Sequence, residues 1–104
     1  MIHIDDSNFA SEAEQAATLT LIDFGATWCQ PCKKLEPIME ELSKEYEGRA
    51  LIGHCDVAKA PKLAQRFGVM SVPTVIFLKK GELVDRFVGL QARDKIVQMI
   101  DKHL

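Results

Sequence analysis

The chain has 104 residues, of which 47% are hydrophobic and 27% charged, so one globular domain over 1–104 is expected. The 13 Lys and Arg against 15 Asp and Glu give a net charge of −2, which predicts neither a nucleic-acid partner nor an anionic membrane partner. No apolar stretch approaches the roughly 20 residues that span a bilayer, and the first residues lack the basic and apolar regions of a secretory signal, so a cytoplasmic location is expected.

The first quarter of the chain predicts two strands and one helix. Residues 2–4 are expected to form a short first strand. A helix over 7–17 follows, with Ser7 as its cap and the acidic Glu12 and Glu14 near its start. Residues 19–24 form a strongly apolar run, which is typical of a strand at the centre of a sheet.

The most regular helix follows this strand. One face, at the spacing of a 3.6-residue period, carries Leu35, Ile38, Met39, Leu42 and Tyr46. Charged residues occupy the other faces, and Gly48 is expected to end the helix. Pro37 lies inside it, which predicts a kink because the ring removes one hydrogen-bond donor.

The second half predicts a strand over 50–56, a helix over 58–67 and a terminal helix over 93–103. Between the helices, strands 74–78 and 83–88 flank Lys79-Lys80-Gly81-Glu82, which is a hairpin signal. Strands separated by helices imply parallel crossovers, and the hairpin adds antiparallel strands. The predicted fold is therefore α/β, with a mixed five-stranded sheet and four helices on its two faces.

Cys29 and Cys32 lie three positions apart, between the strand at 19–24 and the long helix. A helix N-terminus has free N–H groups and a partial positive charge, which lower the pKa of a thiol placed there. Cys29 is expected at the cap or first position with its sulfur exposed, and Cys32 is expected to point inward. Pro31 between them suits a first helical turn. Such an unequal pair suits thiol–disulfide exchange.

The pair also has two other interpretations, ordinary buried thiols or half of a zinc site. A structural zinc site needs four ligands. His54 and Cys55 are adjacent on a predicted strand, so they point to opposite faces and are poorly placed to complete a tetrahedron. No metal is therefore expected. Cys55 is interpreted as a small buried side chain, with a regulatory thiol as the alternative.

Asp23 and Pro73 stand out from their surroundings. Asp23 interrupts the apolar run at 19–24, where a buried carboxyl would have a raised pKa suited to proton transfer. Alternatively, Asp23 faces solvent. Pro73 lies directly before a strand, where it is either an ordinary first residue or follows a cis peptide bond. The pattern leaves both questions open.

Taken together, these residues resemble the thioredoxin family over essentially the whole chain. Residues 28–33 match the family's Trp-Cys-x-Pro-Cys-Lys, and residues 23–24 match its Asp-Phe at the same distance from the first cysteine. Pro37 matches the proline within the active-site helix, residues 72–74 match Val-Pro-Thr, and Gly89 matches the glycine after the last strand. This combined motif is far more specific than an isolated C-x-x-C.

The resemblance implies a thioredoxin-like fold and a protein-disulfide reductase that needs no bound cofactor. It implies that Cys29 attacks the client disulfide, that Cys32 resolves the mixed disulfide, and that Asp23 accepts the proton of Cys32. Pro73 would be a cis-proline packed against the dithiol. The substrate-binding surface would also include Trp28, Gln30, Pro31, Val72 and Gly89. The implied partners are disulfide-containing clients and a thioredoxin reductase linked to NADPH or ferredoxin, and a monomer is expected.

Three positions depart from the family pattern. Gln30 replaces the usual glycine between the cysteines, which leaves the redox potential open. Gly25 replaces the aromatic residue that often follows Asp-Phe, which removes packing beneath the active-site loop. His54 replaces a lysine near the buried carboxyl, and its charge at neutral pH affects the pKa of Asp23. The alternative for His54 is that it only fills space.

Two other functions remain open at this level. In an oxidant or isomerase of the same fold, the reduced dithiol would be more stable than the disulfide. A binding module would hold a partner on the apolar face around Trp28 and Pro73 and use the redox state as a switch. The intact cysteine pair favours catalysis, because a scaffold does not need both thiols.

Overall fold

The computed structural model describes residues 1–104 and contains five strands and four helical segments. The strands are β1 (Ile2–His3), β2 (Leu19–Gly25), β3 (Ala50–Asp56), β4 (Thr74–Lys79) and β5 (Glu82–Val88). The helical segments are a π-helical turn at Ala10–Glu14, then α1 (Gln30–Glu45), α2 (Pro61–Arg66) and α3 (Arg93–His103). No helix combines the length and apolarity that a membrane span requires.

The sheet has the order β1-β3-β2-β4-β5 and is mixed. β1 and β2 both run parallel to β3, whereas β4 runs antiparallel to β2 and β5. The predicted α/β fold with a mixed five-stranded sheet is therefore confirmed. The hairpin between β4 and β5 turns at Lys80 and Gly81, whose φ angles of 52° and 83° are typical of a tight hairpin turn.

Both faces of the sheet are buried, which explains why β2 is largely apolar and buried along its whole length. Leu19 and Leu21 belong to a core cluster that includes side chains of α1 and α3. Ile22 and Phe24 point to the other face and belong to the cluster that contains Phe9 and the side chains of α2. β2 is thus a central strand with a core on each side.

The predicted helix over 7–17 is wrong in extent and in its cap. Only Ala10–Glu14 is helical, and Ser7 does not cap it. The Asp5 carboxylate instead accepts hydrogen bonds from the backbone N–H groups of Ser7, at 2.8 Å, and Asn8, at 3.2 Å. These local bonds hold the backbone in a turn, which competes with a longer helix.

α2 is shorter than the predicted 58–67 because side chains hold the preceding turn in a different conformation. The Asp56 carboxylate accepts a bond from the Ala58 N–H at 2.9 Å. The helix begins only at Pro61, and a proline disfavours helical geometry in the residue before it. Asp6, from a remote segment, accepts a bond from the Leu63 N–H at 3.0 Å and so caps α2 across the fold.

α1 matches its predicted apolar face. Leu35, Met39, Leu42 and Tyr46 are buried, and Ile38 is partly buried. The helix continues as one element through Pro37. Gly48, with φ +86°, lies in the turn that follows the helix. The N-terminus of α1 meets the carboxyl end of β2, where both cysteines are found.

Candidate active site

Cys29 and Cys32 occupy the first turn of α1. Cys29 is the N-cap, in an extended backbone conformation, and the two cysteines are joined by a disulfide with a Cα–Cα distance of 5.3 Å. The Cys32 N–H donates to Cys29 Sγ at 3.2 Å. Pro31 lies in the first turn, where its missing N–H has no helical partner to lose. The Cys29 sulfur therefore has the position of a side chain that caps a helix.

The prediction that Cys29 is exposed is wrong for this disulfide form, whereas the prediction that Cys32 is shielded is confirmed. The exposed fractions are 5% for Cys29 and 6% for Cys32. Both cysteines form a small apolar cluster with Ala26, and Val57 and Val72 pack against that cluster. The sulfurs differ in their surroundings instead. Cys29 Sγ lies 3.8 Å from the Val72 carbonyl oxygen, whereas the Cys32 side chain lies against Gly25 on β2.

Pro73 lies beside the disulfide at the start of β4. It is buried, and the Val72–Pro73 peptide bond is cis. The Pro73 carbonyl accepts a bond from the Gly89 N–H at 2.8 Å. Gly89 has φ +87°, a conformation that favours glycine. The two predicted residues Pro73 and Gly89 are therefore adjacent, next to the Val72 carbonyl that faces Cys29.

Asp23 is buried, with 1% of its surface exposed, so the solvent-facing alternative is wrong. Its Oδ1 has no hydrogen-bond partner. Burial raises the pKa of this carboxyl to about 7, and the negative charge of Glu36 on α1 adds to the effect. Asp23 is two residues before Gly25 on the same face of β2. The carboxyl therefore lies beneath the start of α1, where Cys32 points.

His54 is the register partner of Asp23 on the adjacent strand β3. A Cβ atom at Gly25 would lie 3.2 Å from His54 Nε2 and 3.6 Å from Cys32 Sγ. The missing side chain at Gly25 therefore leaves room for the imidazole beside Cys32. Burial lowers the pKa of His54, and this outweighs the opposite effects of Glu36 and Asp56. The departures at Gly25 and His54 are thus spatially coupled.

An apolar groove of about 410 Å³ lies on the outside of the site. Two residues of the predicted substrate-binding surface line this groove, Val72 and Trp28, the latter 76% exposed, whereas Gly89, Gln30 and Pro31 do not line it. The sequence interpretation missed Met70, which is 95% exposed, and also Val57, Ala64, Val69 and Ser71. The apolar pair Val69-Met70, just before 71–74, is the sequence signal that would have identified part of this groove. Gln30 and Pro31 are exposed at the start of α1.

Cys55 lies outside the site. It is fully buried among the side chains of the second core cluster, on the sheet face opposite to His54. Burial raises the pKa of its thiol to about 12. The interpretation as a small buried side chain is confirmed. No group of three or more His, Cys, Asp or Glu side chains is arranged to hold a metal ion.

Comparison with known proteins places this chain in a family. The sequence model of the thioredoxin family matches residues 1–102. The chain is 43% identical to the thioredoxins of Staphylococcus saprophyticus and Staphylococcus epidermidis, and 42% identical to that of Staphylococcus aureus. Each of these alignments covers 100% of this chain and 98% of the relative.

Proposed function

The chain belongs to the thioredoxin family and is a thiol–disulfide oxidoreductase that reduces protein disulfides, and we propose that it acts through a mixed disulfide at Cys29 that Cys32 resolves. The observation that carries this assignment of roles is the hydrogen bond of 3.2 Å from the Cys32 N–H to Cys29 Sγ. Only Cys29 Sγ accepts a hydrogen bond from an N–H group at the helix N-terminus, so the two cysteines are chemically unequal.

In the first step, the Cys29 thiolate attacks one sulfur of a client disulfide. The N–H donor and the helix N-terminus stabilise that thiolate, because charge-assisted hydrogen bonds are stronger than neutral ones. A sulfur–sulfur bond forms between Cys29 and the client as the client's own disulfide breaks. The second client sulfur leaves as a thiolate and takes a proton from water.

In the second step, Cys32 loses its proton and attacks Cys29 Sγ. The bond between Cys29 and the client breaks, the intramolecular disulfide forms, and the client sulfur that was bonded to Cys29 leaves as a thiolate and takes a proton from water. The client has then gained two electrons, which the dithiol has lost. Asp23 is proposed to accept the proton of Cys32, because a carboxyl with a pKa of about 7 is partly ionised at neutral pH.

Client binding is proposed at the groove that contains Trp28 and Val72, together with the neighbouring Pro73, Gly89, Gln30 and Pro31. The Val72 carbonyl oxygen lies 3.8 Å from Cys29 Sγ. A client segment that lies extended along the Val72 backbone would therefore bring its disulfide to Cys29. Backbone pairing and apolar contact require little of the client sequence, which supports a broad range of clients.

The oxidised protein must be reduced again after each cycle. We propose a thioredoxin reductase as the electron donor, linked to NADPH or to ferredoxin, with client proteins as the acceptors. The domain over 1–104 would act as a monomer with no bound cofactor, because the dithiol itself carries the electrons. The supply of these reductants also supports the proposed cytoplasmic location.

Cysteine substitutions test the two roles. Cys32→Ser, incubated in reduced form with insulin as the disulfide client, is expected to accumulate a covalent mixed disulfide that mass spectrometry detects. Cys29→Ser is the matched control and is expected to form none, because Cys32 lacks the helix N-terminal donor. A Cys32→Ser variant that binds its partner without any covalent intermediate would contradict the catalytic cycle and favour a binding module.

A further inference from the structure

A second cavity borders the active site and is not used by the proposed docking of clients. This cleft has a volume of about 560 Å³, and its lining includes Cys32 and Glu36 from α1 and His54 from β3. No residue lines both the cleft and the groove at Trp28. Cys32 therefore has an approach of its own, separate from the surface on which a client would lie.

Within the cleft, His54 is adjacent to both groups that handle the proton of the second step. It pairs in register with Asp23, and neighbouring strands are about 4.8 Å apart. Its Nε2 and Cys32 Sγ both border the point that a Cβ at Gly25 would occupy. Asp23 itself is buried with an unpartnered oxygen and does not line the cleft. His54, which is partly exposed, is thus the side chain that links the buried pair to the cleft.

We propose that His54 is the proton-relay residue between the Cys32–Asp23 pair and the water of the cleft, an inference that rests on the proposed function. As Cys32 Sγ bonds to Cys29 Sγ, the proton lost from the Cys32 thiol passes to the neutral imidazole at Nε2, either directly or by way of Asp23. His54 then releases it to water, and the client thiolate takes up a proton from solvent. The protein therefore keeps no additional proton. The electrons are transferred between sulfur atoms as in the two exchange steps described above.

Burial, rather than the surrounding charges, favours the neutral imidazole that this role requires. Groups that face it from the surrounding elements or line its cleft are His3, Asp5, Asp23, Cys32, Lys33, Glu36, Asp56 and Lys59. Burial is the largest influence and lowers the pKa of His54, and His3 acts in the same direction. Glu36 and Asp56 oppose this. The imidazole therefore stays unprotonated at neutral pH and becomes protonated only in more acidic solution.

The test separates the two chemical steps by stopped-flow absorbance, with dithiobis-nitrobenzoate as a chromogenic disulfide. Attack by Cys29 releases the first coloured thiolate, and resolution by Cys32 releases the second. His54→Gln is expected to leave the first phase unchanged and to slow the second about tenfold at neutral pH, which is less than the roughly 100-fold effect of removing a sole general base, because Asp23 remains in place. In the wild type the rate of the second phase should fall as the pH falls through the pKa of His54. The variant should lack this inflection in its pH–rate profile.

His3→Gln is the matched control, since His3 lines the same cleft and its ring centroid lies 6.2 Å from that of His54. It should retain both phases and the inflection. Gly25→Ala tests the geometry without removing a titratable group, because the new Cβ would be 3.2 Å from His54 Nε2 and the ring would have to move by a few tenths of an ångström. We expect this variant to slow the second phase as well.

The outcomes distinguish this inference from the function on which it rests. Equal second phases and equal pH profiles for the wild type and His54→Gln would overturn the role of His54, whatever Gly25→Ala does. If His54→Gln fails to fold, a Gly25→Ala second phase equal to that of the wild type would overturn it. If the wild type itself releases no second thiolate, the proposed dithiol cycle is wrong.

Discussion

Replacing Asp23 with Asn is expected to stabilise the folded protein in alkaline solution and much less in acid. The carboxyl has 1% of its surface exposed and one oxygen without a hydrogen-bond partner. Ionising it in this environment is costly, and burial accordingly raises its pKa from the ordinary 3.8 to about 7. Asn has nearly the same shape and does not ionise, so the substitution removes the cost of the charge.

The size and sign of the effect follow from the linkage between proton binding and folding. Below pH 3.8 the carboxyl is protonated in both the folded and the unfolded state, so the buried charge costs nothing. Between pH 3.8 and about 7 only the folded state holds the proton, so stability falls as the pH rises. Above that range the full cost is present, about 4 kcal/mol. This is a large fraction of the roughly 5–15 kcal/mol that stabilises a typical domain.

Urea unfolding of the oxidised protein, followed by circular dichroism, measures this effect while the Cys29–Cys32 pair does not titrate. The Asn amide has its own burial cost of roughly 1–3 kcal/mol, but that cost is independent of pH. The difference between Asp23→Asn and the wild type should therefore increase by about 4 kcal/mol from strongly acid to mildly alkaline solution. Glu41→Gln removes an exposed carboxylate and should show little change. A difference that stays constant with pH would refute the reasoning.

Three further results are expected. The Cys29–Cys32 couple should equilibrate with glutathione or dithiothreitol buffers at a potential near the −270 mV of a thioredoxin-type reductant, and a value near −120 mV would instead identify an oxidant or isomerase. Cys55, whose pKa burial raises to about 12, should resist iodoacetamide in the native reduced protein and react after denaturation, as mass spectrometry of peptides would show. Rapid native labelling would mean that Cys55 is exposed. Met70→Glu should raise KM for insulin about fivefold with little change in kcat, since the lost apolar contact is worth about 1 kcal/mol, and an unchanged KM would remove Met70 from the client surface.

Elements with a strong hydrophobic period were predictable from the sequence. The strand over 50–56 and the helix over 93–103 have the predicted bounds, because their apolar residues recur at the spacing that one buried face requires. The prediction of a helix over 7–17 is wrong because other contacts determine the structure of this segment. Asp5 forms local hydrogen bonds that hold a turn, and Phe9 packs edge-on against Phe67 from a distant part of the chain. A single-sequence pattern does not contain that second contact.

The sequence alone established the fold class, the family resemblance and the cysteine pair at a helix start, because these depend on spacing and on local backbone chemistry. The burial of Cys29 depended on the fold, since Val57 and Val72, which pack against its cluster, come from remote segments. The sequence left open whether Asp23 faces solvent or a core, and the packing of the tertiary structure buries it. The space at Gly25 that holds the His54 ring beside Cys32 likewise exists only where β2, β3 and α1 meet. Exposure, pKa and proximity between remote side chains are set by packing. Packing brings together residues whose separation along the chain gives no indication that they will be in contact.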